Sequence, residues 1–439
     1  MAITGRLPLL LLAGLVPVVL VARGSTPWLW LLVVLALSGL DWLAAPAPRT
    51  LEIARRSPGA TRLGTPATTT LLVTNAGRRP VRALVRDAWQ PTAGASGNRH
   101  RVRLAVGAQI ACATPLLPRR RGDLRAVGVT VRTRGPLGLV CRQQTRDVPG
   151  TVRSLPPFES RKHLPSRLAR LRELDGRAAV RVRGEGTEFD SLREYVQGDD
   201  VRSIDWRASA RSRSVVVRTW QPERDRRVVL VLDTSRTSAG RVATSGMQDD
   251  VDGVPRLDSA MDAALLLGAL AARAGDRVDL VAGDRRIRSQ VRLHAARDIA
   301  ARMQDAMSTL EPVIAEADWS ALAGAVQALG RRRALVVLLT PLEPTAVEES
   351  LLPVLPALTR YHRVVLASVR DPELERLAGV RDTIDDVYAA AAAEQALARR
   401  RHTADMLAAL GVDVVDADAE SLPPALADHY LTLKARGLL

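Results

Sequence analysis

The chain begins with two apolar runs, and no other feature of its sequence restricts the fold as strongly. Residues 7–22 and 28–40 contain no charged side chain and are separated by only five residues. Each run approaches the roughly 20 apolar residues that a helix needs to cross a bilayer. A signal peptide would explain the first run alone, but a second run after so short a break favours a two-helix membrane hairpin over residues 1–48. Tryptophans stand where interfacial side chains are common: Trp28, Trp30 and Trp42.

The charges beside the apolar runs predict the orientation of this hairpin. Arg6 precedes the first run and three arginines lie within 49–56, whereas the turn contains only Arg23. Because positive charge stays on the cytoplasmic side, both termini and the bulk of the chain are expected in the cytoplasm. The chain has only two cysteines, Cys112 and Cys141, which fits a reducing compartment. The sequence does not determine whether these two cysteines lie close together.

Residues 49–157 have the pattern of a small basic β-domain. Segments such as 100–106 and 124–133 alternate apolar and polar residues, and turn signals such as Asn75-Ala76-Gly77 separate them, which predicts a β-sandwich. This region holds 20 Arg against four acidic residues, a surplus equal to the +16 of the whole chain. We expect it to face an anionic membrane surface. Nucleic acid is the less favoured partner, because no nucleic-acid-binding motif accompanies the charge.

From residue 227 to the C-terminus, strand-like and helix-like segments alternate. Apolar strands are predicted at 227–232, 277–282, 333–340, 363–369 and 412–415, and helices at 257–274, within 291–304, and at 319–329, 385–410 and 424–435. Buried strands that alternate with helices are typical of a parallel sheet with helices on both faces. The sequence therefore predicts a doubly wound domain over 227–439 and a mixed α/β class for the whole chain.

The first of these strands ends on Asp233, which opens the segment Asp233-Thr234-Ser235-Arg236-Thr237. In open α/β sheets, ligands bind beyond the carboxyl ends of the strands, near the point where the strand order reverses. One carboxylate and two hydroxyls suit a hard cation such as Mg²⁺. Asp233, Ser235 and Thr237 are therefore candidate magnesium ligands. The alternative is that Asp233 caps or braces its own loop.

The connector over 158–226 contains a dense stretch of opposite charges with two large aromatic residues. Its core, residues 184–206, reads GEGTEFDSLREYVQGDDVRSIDW. Ordering so many charges requires them to pair, because a buried unpaired charge is costly. We interpret most of these residues as structural and some exposed ones as partner contacts. The candidate residues are Glu188, Arg193, Tyr195, Asp199, Asp200, Arg202, Asp205 and Trp206.

This motif, with the following Ser209-Ala210-Arg211, resembles the signature of bacterial domain-of-unknown-function family fifty-eight. The resemblance implies a membrane hairpin, a β-domain and a C-terminal domain similar to von Willebrand factor A domains. It also implies a MoxR-type AAA+ ATPase as partner, because members are typically encoded beside one. The family has no established catalytic activity. The expected function is accordingly that of a membrane-anchored adaptor or scaffold, not an enzyme, in assembly or remodelling of envelope or metalloprotein complexes.

The sequence departs from the A-domain pattern at the other expected metal ligands. A Ser-Asp pair is replaced by Thr340-Pro341, and the loop that normally supplies Thr reads Asp318-Trp319-Ser320. The magnesium site is therefore expected to be incomplete or rebuilt. The alternative function is a metal- or carboxylate-dependent hydrolase that uses the signature acids. No histidine or cysteine accompanies those acids, and the sequence has no Walker A motif.

Overall fold

The computed structural model describes residues 2–21, 23–181, 188–197, 199–212, 214–221, 226–243, 253–293, 298–330 and 332–439. The chain divides into two compact units, Met1–Leu155 and Pro156–Leu439. Helices and sheets are both present, so the mixed α/β class predicted from the sequence is confirmed. Gly184 to Thr187 of the signature lie outside the described residues.

The first unit contains three apolar helices and a β-domain. The helices are α1 (Arg6–Ala13), α2 (Leu15–Val21) and α3 (Thr26–Ala44). The strands are β1 (Ala2–Ile3), β2 (Leu51–Arg56), β3 (Gly59–Arg62), β4 (Ala67–Asn75), β5 (Val81–Trp89), β6 (Arg99–Leu104), β7 (Gln109–Leu116), β8 (Gly122–Arg134), β9 (Val140–Arg146) and β10 (Thr151–Leu155).

Two sheets form the body of this unit. The larger sheet is built on β8, whose first residues pair with β10 and whose later residues lie between β5 and β9. The smaller sheet has the order β2-β4-β7. Side chains from both sheets, among them Leu71, Val85 and Val131, belong to one hydrophobic core. Alternate residues of β4 and β5 are buried in this core, which is the physical origin of the period-two pattern in the sequence.

The apolar N-terminal segment is only partly as the sequence predicts. One helix of the described residues, which begins at Thr26, is long and apolar enough to cross a membrane. The first run instead forms the two short helices α1 and α2, because Pro17 cannot donate a backbone hydrogen bond to the preceding turn. The indole of Trp30 on α3 packs where a Cβ on Gly14 would lie and donates a hydrogen bond to the carbonyl of Leu10 at 3.2 Å. The complete two-pass hairpin stays a prediction.

A buried carboxylate near the end of α3 ties the apolar helices to the larger sheet. Asp41 is 1% exposed and accepts hydrogen bonds from the backbone N–H groups of residues 137, 138, 139 and 140, at 2.8, 3.3, 2.7 and 3.0 Å. At the other end of the helical segment, β1 pairs with the start of β9. Four donors offset the cost of burying one negative charge. Both ends of the apolar segment are therefore fixed beside β9.

The core of the first unit also contains a buried ion pair. Two nitrogens of the Arg55 guanidinium donate to the two oxygens of Asp87 at 3.0 and 2.7 Å. The two side chains are 2% and 0% exposed. The same guanidinium lies over the ring of Trp89, 4.9 Å from its centroid. Neither charge has an alternative partner in water, so the pair holds β2 and β5 together only while both members are present.

We expect Asp87→Ala to lower the free energy of unfolding by about 3–5 kcal/mol, because Arg55 would remain buried and unpaired. Urea unfolding of the detergent-solubilised protein measures this loss. The matched control is Asp123→Ala, which breaks the exposed pair with Arg153 and should cost less than about 1 kcal/mol. Equal losses in the two variants would contradict this interpretation of the buried pair.

The second unit alternates strands and helices. Its helices are α4 (Leu164–Arg181), α5 (Trp206–Ser209), α6 (Arg256–Arg273), α7 (Ile299–Ser308), α8 (Trp319–Ala328), α9 (Pro344–Ala346), α10 (Leu355–Thr359), α11 (Glu373–Gly379), α12 (Ile384–Ala409) and α13 (Leu422–Ala435). Its strands are β11 (Glu188–Glu194), β12 (Val216–Gln221), β13 (Arg227–Asp233), β14 (Arg241–Val242), β15 (Val254–Pro255), β16 (Arg277–Gly283), β17 (Ile287–Leu293), β18 (Leu335–Leu339), β19 (Arg363–Val369) and β20 (Val412–Ala417).

A six-stranded sheet with the order β17-β16-β13-β18-β19-β20 forms the centre of this unit. One hydrophobic core, which includes residues of α6 and α13, covers one face, and a second core with residues of α8 and α10 covers the other. The central strand β13 pairs in parallel with β16 on one side and β18 on the other. The strand order reverses at β13, so the ends of β13 and β18 flank the point where open α/β sheets bind ligands.

The strand at one edge of this sheet is a correction to the sequence analysis. Residues 291–293, assigned there to a segment that includes a helix, belong to β17, which pairs antiparallel with β16. Helix α7 begins only at Ile299. The sequence of β17, IRSQVRL, alternates between partly buried and exposed positions, as expected for an edge strand with one solvated face. The sheet is therefore mainly, not entirely, parallel.

A carboxylate on α6 holds the beginning of the second unit against the sheet-covering helix. Asp262 accepts hydrogen bonds from the backbone N–H of Ser160 at 3.1 Å and from its hydroxyl at 2.8 Å. Burial raises the pKa of Asp262 to about 6, and the two hydrogen bonds from Ser160 oppose the rise only in part. The folded protein therefore binds a proton at this site more tightly than the unfolded chain does.

This proton affinity predicts a pH dependence of stability. Between the ordinary aspartate pKa of 3.8 and the folded value of about 6, the contribution of Asp262 to the free energy of unfolding should fall as the pH rises. Above pH 6 the loss is complete, at most about 3 kcal/mol. Thermal unfolding from pH 4 to 7 should show a smaller decline for Asp262→Asn than for the wild type. Parallel pH profiles would show that Asp262 does not titrate in this window.

Candidate functional site

Asp233 lies at the carboxyl end of the central strand, as the sequence predicts, and is 1% exposed. One carboxylate oxygen accepts a hydrogen bond from the backbone N–H of Ser235 at 2.8 Å. The other oxygen accepts from the hydroxyls of Thr237 at 3.0 Å and Thr340 at 2.7 Å. The hydroxyl oxygens of Ser235 and Thr237 are 3.0 Å apart. The three candidate ligands therefore do come together, and Thr340, directly after β18, completes the group.

Burial sets the electrostatics of this group. It raises the pKa of Asp233, while the hydrogen bonds from Ser235, Thr340 and Thr237 oppose the rise. Each of these donors is neutral, so the carboxylate has no cation in hydrogen-bond contact among the described residues. A bound cation would supply the missing positive charge. Without a cation, burial makes the ionised form of Asp233 less favourable than it is in water.

The cleft beside Asp233 is small. Its walls include Trp319 from α8, Val347 and Ser350 from the segment after β18, and the carboxylate-bearing Glu316. The enclosed space is about 10 Å³, close to what one water molecule requires. Glu316 also forms an ion pair with Arg236, which closes one side of the rim. In this form the cleft has room for a water molecule or a single ion.

A second carboxylate, which the sequence analysis did not identify, braces the same loop. Asp284 follows β16 and accepts hydrogen bonds from the hydroxyl of Thr234 at 3.0 Å and from Nε of Arg288 at 2.7 Å. Burial would raise the pKa of Asp284, but the bonds from Arg288 and Thr234 outweigh it and hold the pKa low. Asp284 is therefore ionised, and its carboxylate links Thr234 of the loop to Arg288 of β17. An acid directly after a buried strand was the signal available in the sequence.

The oxygen chemistry of the Asp233 group fits Mg²⁺, but its charge is low for a protein-held site. Asp233 is joined by hydroxyl oxygens, and Thr340 is followed by Pro341, which supplies no acidic ligand. Asp318 instead caps α8 by accepting from the backbone N–H of Ala321 at 2.9 Å. Within the described ranges, no three His, Cys, Asp or Glu side chains form a group that could hold a metal. Magnesium with so few protein ligands needs further oxygen ligands, so its binding requires this small cleft to open.

Asp199 and Asp200 of the signature accept hydrogen bonds from groups close to them in the chain. Asp199 accepts from Nη2 of Arg193 at 2.5 Å and from the backbone N–H of Val196 at 2.9 Å. The hydrogen bond from Arg193 comes first among the causes that lower the pKa of Asp199. Asp200 caps the short turn that follows it by accepting from the backbone N–H of Arg202 at 2.9 Å. These bonds lie within the signature itself.

Asp205 caps α5. It accepts from the backbone N–H groups of residues 207 and 208 at 3.1 and 3.0 Å and pairs with Arg218 of β12 at 2.7 Å. The bond from residue 208 and then that from Arg218 lower the pKa of Asp205. Glu188 begins β11, the strand that pairs with β12. Tyr195 donates its backbone N–H to the carbonyl of Val215 at 2.7 Å, which continues this pairing.

Large apolar side chains of the signature face solvent. Trp206, the first residue of α5, is 66% exposed, and Val196 and Val201 are also exposed. Among the signature residues predicted to be structural or partner contacts, Trp206 therefore has the exposure expected of a partner contact. Trp206 is held at this position because Asp205 caps the helix that it begins.

Comparisons with known proteins give one assignment. Residues 191–408 match the model of a family described as "Protein of unknown function DUF58". The chain belongs to the DUF58 family. This confirms the resemblance seen in the signature. No curated protein matches the sequence.

Solved structures resemble the chain only weakly. The ASH/PapD-like domain 7 of human CEP192 is 15% identical, with 24% of this chain and 85% of that chain covered and a TM-score of 0.18. The CARDB domain of PF1109 from Pyrococcus furiosus is 15% identical, with 26% and 92% covered and a TM-score of 0.19. The PilB minor pilin from Streptococcus sanguinis is 8% identical, with 81% and 87% covered and a TM-score of 0.31. TM-scores this low support no argument about fold or function.

If the Asp233 group binds Mg²⁺, the ion should stabilise the wild type and leave Asp233→Asn unchanged. At ten times its Kd, the ion should add about 1.4 kcal/mol to the free energy of unfolding. Because burial raises the pKa of Asp233, protons compete with the ion, and the effect should weaken as the pH is lowered. Thermal unfolding with and without MgCl₂ tests both points. Equal responses of the two proteins would assign Asp233 a structural role.

Proposed function

We propose that this protein is a membrane-anchored adaptor or scaffold, not an enzyme, and that it binds partner proteins through the signature surface around Trp206. The observation that carries this proposal is a contrast within the signature between hydrogen-bonded acids and exposed apolar side chains. Asp199, Asp200 and Asp205 are engaged by neighbouring arginines or backbone N–H groups, whereas Trp206, Val196 and Val201 are exposed. Exposed large apolar groups beside charged residues are typical of protein interfaces, and tryptophan is prominent among their strongest contributors.

The state of the signature acids supports recognition over catalysis. A general acid needs a carboxyl group whose pKa lies near the working pH. The pKa values of Asp199 and Asp205 are lowered by their hydrogen bonds, so both are acceptors at neutral pH. The hydrogen bonds of Asp199 and Asp205 give these acids a structural role that requires no chemical step.

We also propose that the six-stranded sheet belongs to a von Willebrand factor A-like domain. When its strands are numbered in chain order, their order across the sheet is 3-2-1-4-5-6, and the edge strand β17 is antiparallel. Asp233 ends the first strand, and Ser235 and Thr237 follow it. A magnesium ion at these three residues is part of the proposal. It would supply positive charge to Asp233, and a partner carboxylate would complete its ligands.

The proposed anchor is a two-pass hairpin with the bulk of the chain in the cytoplasm. Support comes from the two ends of the apolar segment, since β1 pairs with β9 and Asp41 at the end of α3 binds the residues just before β9. A segment that starts and ends at one place must cross a bilayer an even number of times. The orientation rests on the arginines beside the apolar runs.

The proposed partner is a MoxR-type AAA+ ATPase, by family resemblance, with assembly or remodelling of complexes as the shared task. Affinity capture of the full-length protein from its own membranes, with ATP and cross-linking, should recover the ATPase. Trp206→Ala should weaken binding by about 2 kcal/mol, roughly thirtyfold in Kd. The control is Tyr388→Ala, which removes an exposed aromatic side chain of α12 and should leave capture unchanged.

The outcome of the capture experiment tests both the contact surface and the identity of the partner. An ATPase recovered equally with wild type and Trp206→Ala would place the contact elsewhere on the chain. Recovery of no ATPase would remove the partner that the family resemblance implies. Asp233→Ala adds a second test. Loss of the protein's cellular function with intact binding of the ATPase would indicate metal use at Asp233. Loss of both would indicate that Asp233 takes part in recognition.

A further inference from the structure

The outer face of the larger sheet in the first unit carries a dense array of arginines. All seven are exposed, and no salt bridge joins any of them to a carboxylate in the described part of the chain. Three acids of this unit are engaged elsewhere, since Asp41 and Asp87 are buried and Asp123 pairs with Arg153. The array consists of Arg82 and Arg86 on β5, Arg99, Arg101 and Arg103 on β6, and Arg132 and Arg134 on β8.

The strand register places like charges directly opposite one another. Arg82 faces Arg103 and Arg86 faces Arg99 across the β5–β6 ladder. Opposed like charges destabilise an antiparallel pair, so this arrangement weakens the isolated sheet. An anion bound over the face would remove that repulsion. The guanidinium group is well suited to such a ligand, because its planar fork binds phosphate oxygens in pairs.

The array begins beside the apolar helices. Arg134 is opposite Cys141 on β9, and Cys141 is in turn opposite Ala2 of β1. Thr133 pairs with Ala83, so the next residue along β8, Arg134, lies level with Arg82. The pair Arg82–Arg103 therefore lies at the end of the sheet that holds the apolar segment. The pair Arg86–Arg99 is four residues further along β5, about 13 Å away.

We propose that this arginine face binds the headgroups of anionic phospholipids in the leaflet that surrounds the apolar helices. The inference rests on the proposed membrane anchor. Positive charge on the face complements the negative leaflet surface, and the face continues directly from the anchored end of the sheet. Because the Debye length is about 8 Å at physiological salt, the near pair Arg82–Arg103 contributes most and the far pair Arg86–Arg99 contributes little.

The two pairs offer a matched comparison. Each double variant, Arg82→Gln/Arg103→Gln or Arg86→Gln/Arg99→Gln, removes one opposed pair from the same two strands and the same amount of charge. Full-length protein is reconstituted in phosphatidylcholine bilayers that contain phosphatidylglycerol. Electron paramagnetic resonance of spin-labelled lipids then gives the association of phosphatidylglycerol relative to phosphatidylcholine. Unfolding temperatures confirm that both variants are folded.

We expect the wild type to prefer phosphatidylglycerol and the near variant to lower that preference by about fivefold or more, given roughly 1 kcal/mol for each arginine at the surface. The far variant should change it by less than about twofold, and 1 M NaCl should abolish it, since the Debye length then falls to about 3 Å. No preference in the wild type, or equal losses in both variants, would overturn the proposal. Equal losses together with competition by single-stranded DNA would instead identify an extended polyanion as the ligand.

Extraction of native membranes at alkaline pH separates the two proposals. Protein released into the supernatant would refute the membrane anchor, and with it the lipid contact. Protein that stays in the membrane but shows no preference for phosphatidylglycerol would refute the arginine face alone.

Discussion

A buried carboxylate must be given hydrogen-bond donors, and three such groups organise this protein. Asp41 is satisfied by four consecutive backbone N–H groups, Asp87 by the fork of Arg55, and Asp233 by one backbone N–H and two hydroxyls. In each case the donors come partly or wholly from a distant part of the chain. The carboxylates therefore join elements that hydrophobic packing alone would leave free to shift.

The three buried carboxylates differ in the charge of their hydrogen-bond donors and in their access to a ligand. Four neutral backbone amides satisfy both oxygens of Asp41, whereas the cationic Arg55 neutralises Asp87. Asp233 has only neutral donors, so its negative charge is unbalanced and its pKa is raised by burial. Asp41 is likewise held by neutral donors, but Asp233 also lines a cleft with room for a single ion. The position of Asp233 where the strand order reverses gives such a ligand an opening.

The charged residues at the surface differ between the signature and the β-domain. Signature acids near the surface are paired with neighbouring donors, which leaves the apolar Trp206 as the distinctive feature of that surface. On the outer face of the larger sheet, the seven exposed arginines form no salt bridge among the described residues, and four of them oppose one another in two register pairs. Paired acids with an exposed tryptophan suit a protein partner, whereas an unbalanced basic face suits an anionic one.

Local pattern was enough to predict most strands of the six-stranded sheet, most of its long helices and several of their ends. The run RVVLVLD specifies a buried strand that ends on Asp233, and the long Ala-rich segment becomes α12, because periodicity and helix propensity act within a few residues. The edge strand β17 escaped prediction, since a short alternating segment next to a helix is ambiguous without its partner β16. The family signature identified the DUF58 assignment because a long motif is specific.

The sequence by itself determined the mixed α/β class, the apolar N-terminal segment, the basic charge of the β-domain and the placement of Asp233 after a strand. Only the tertiary structure decided that Thr340, 107 residues away, bonds to Asp233. It also decided that residues 137–140 cradle Asp41, that Arg82 opposes Arg103, and that Trp206 is exposed. Strand register and long-range hydrogen bonds depend on contacts between segments that are far apart in the chain, and no local pattern of residues specifies those contacts.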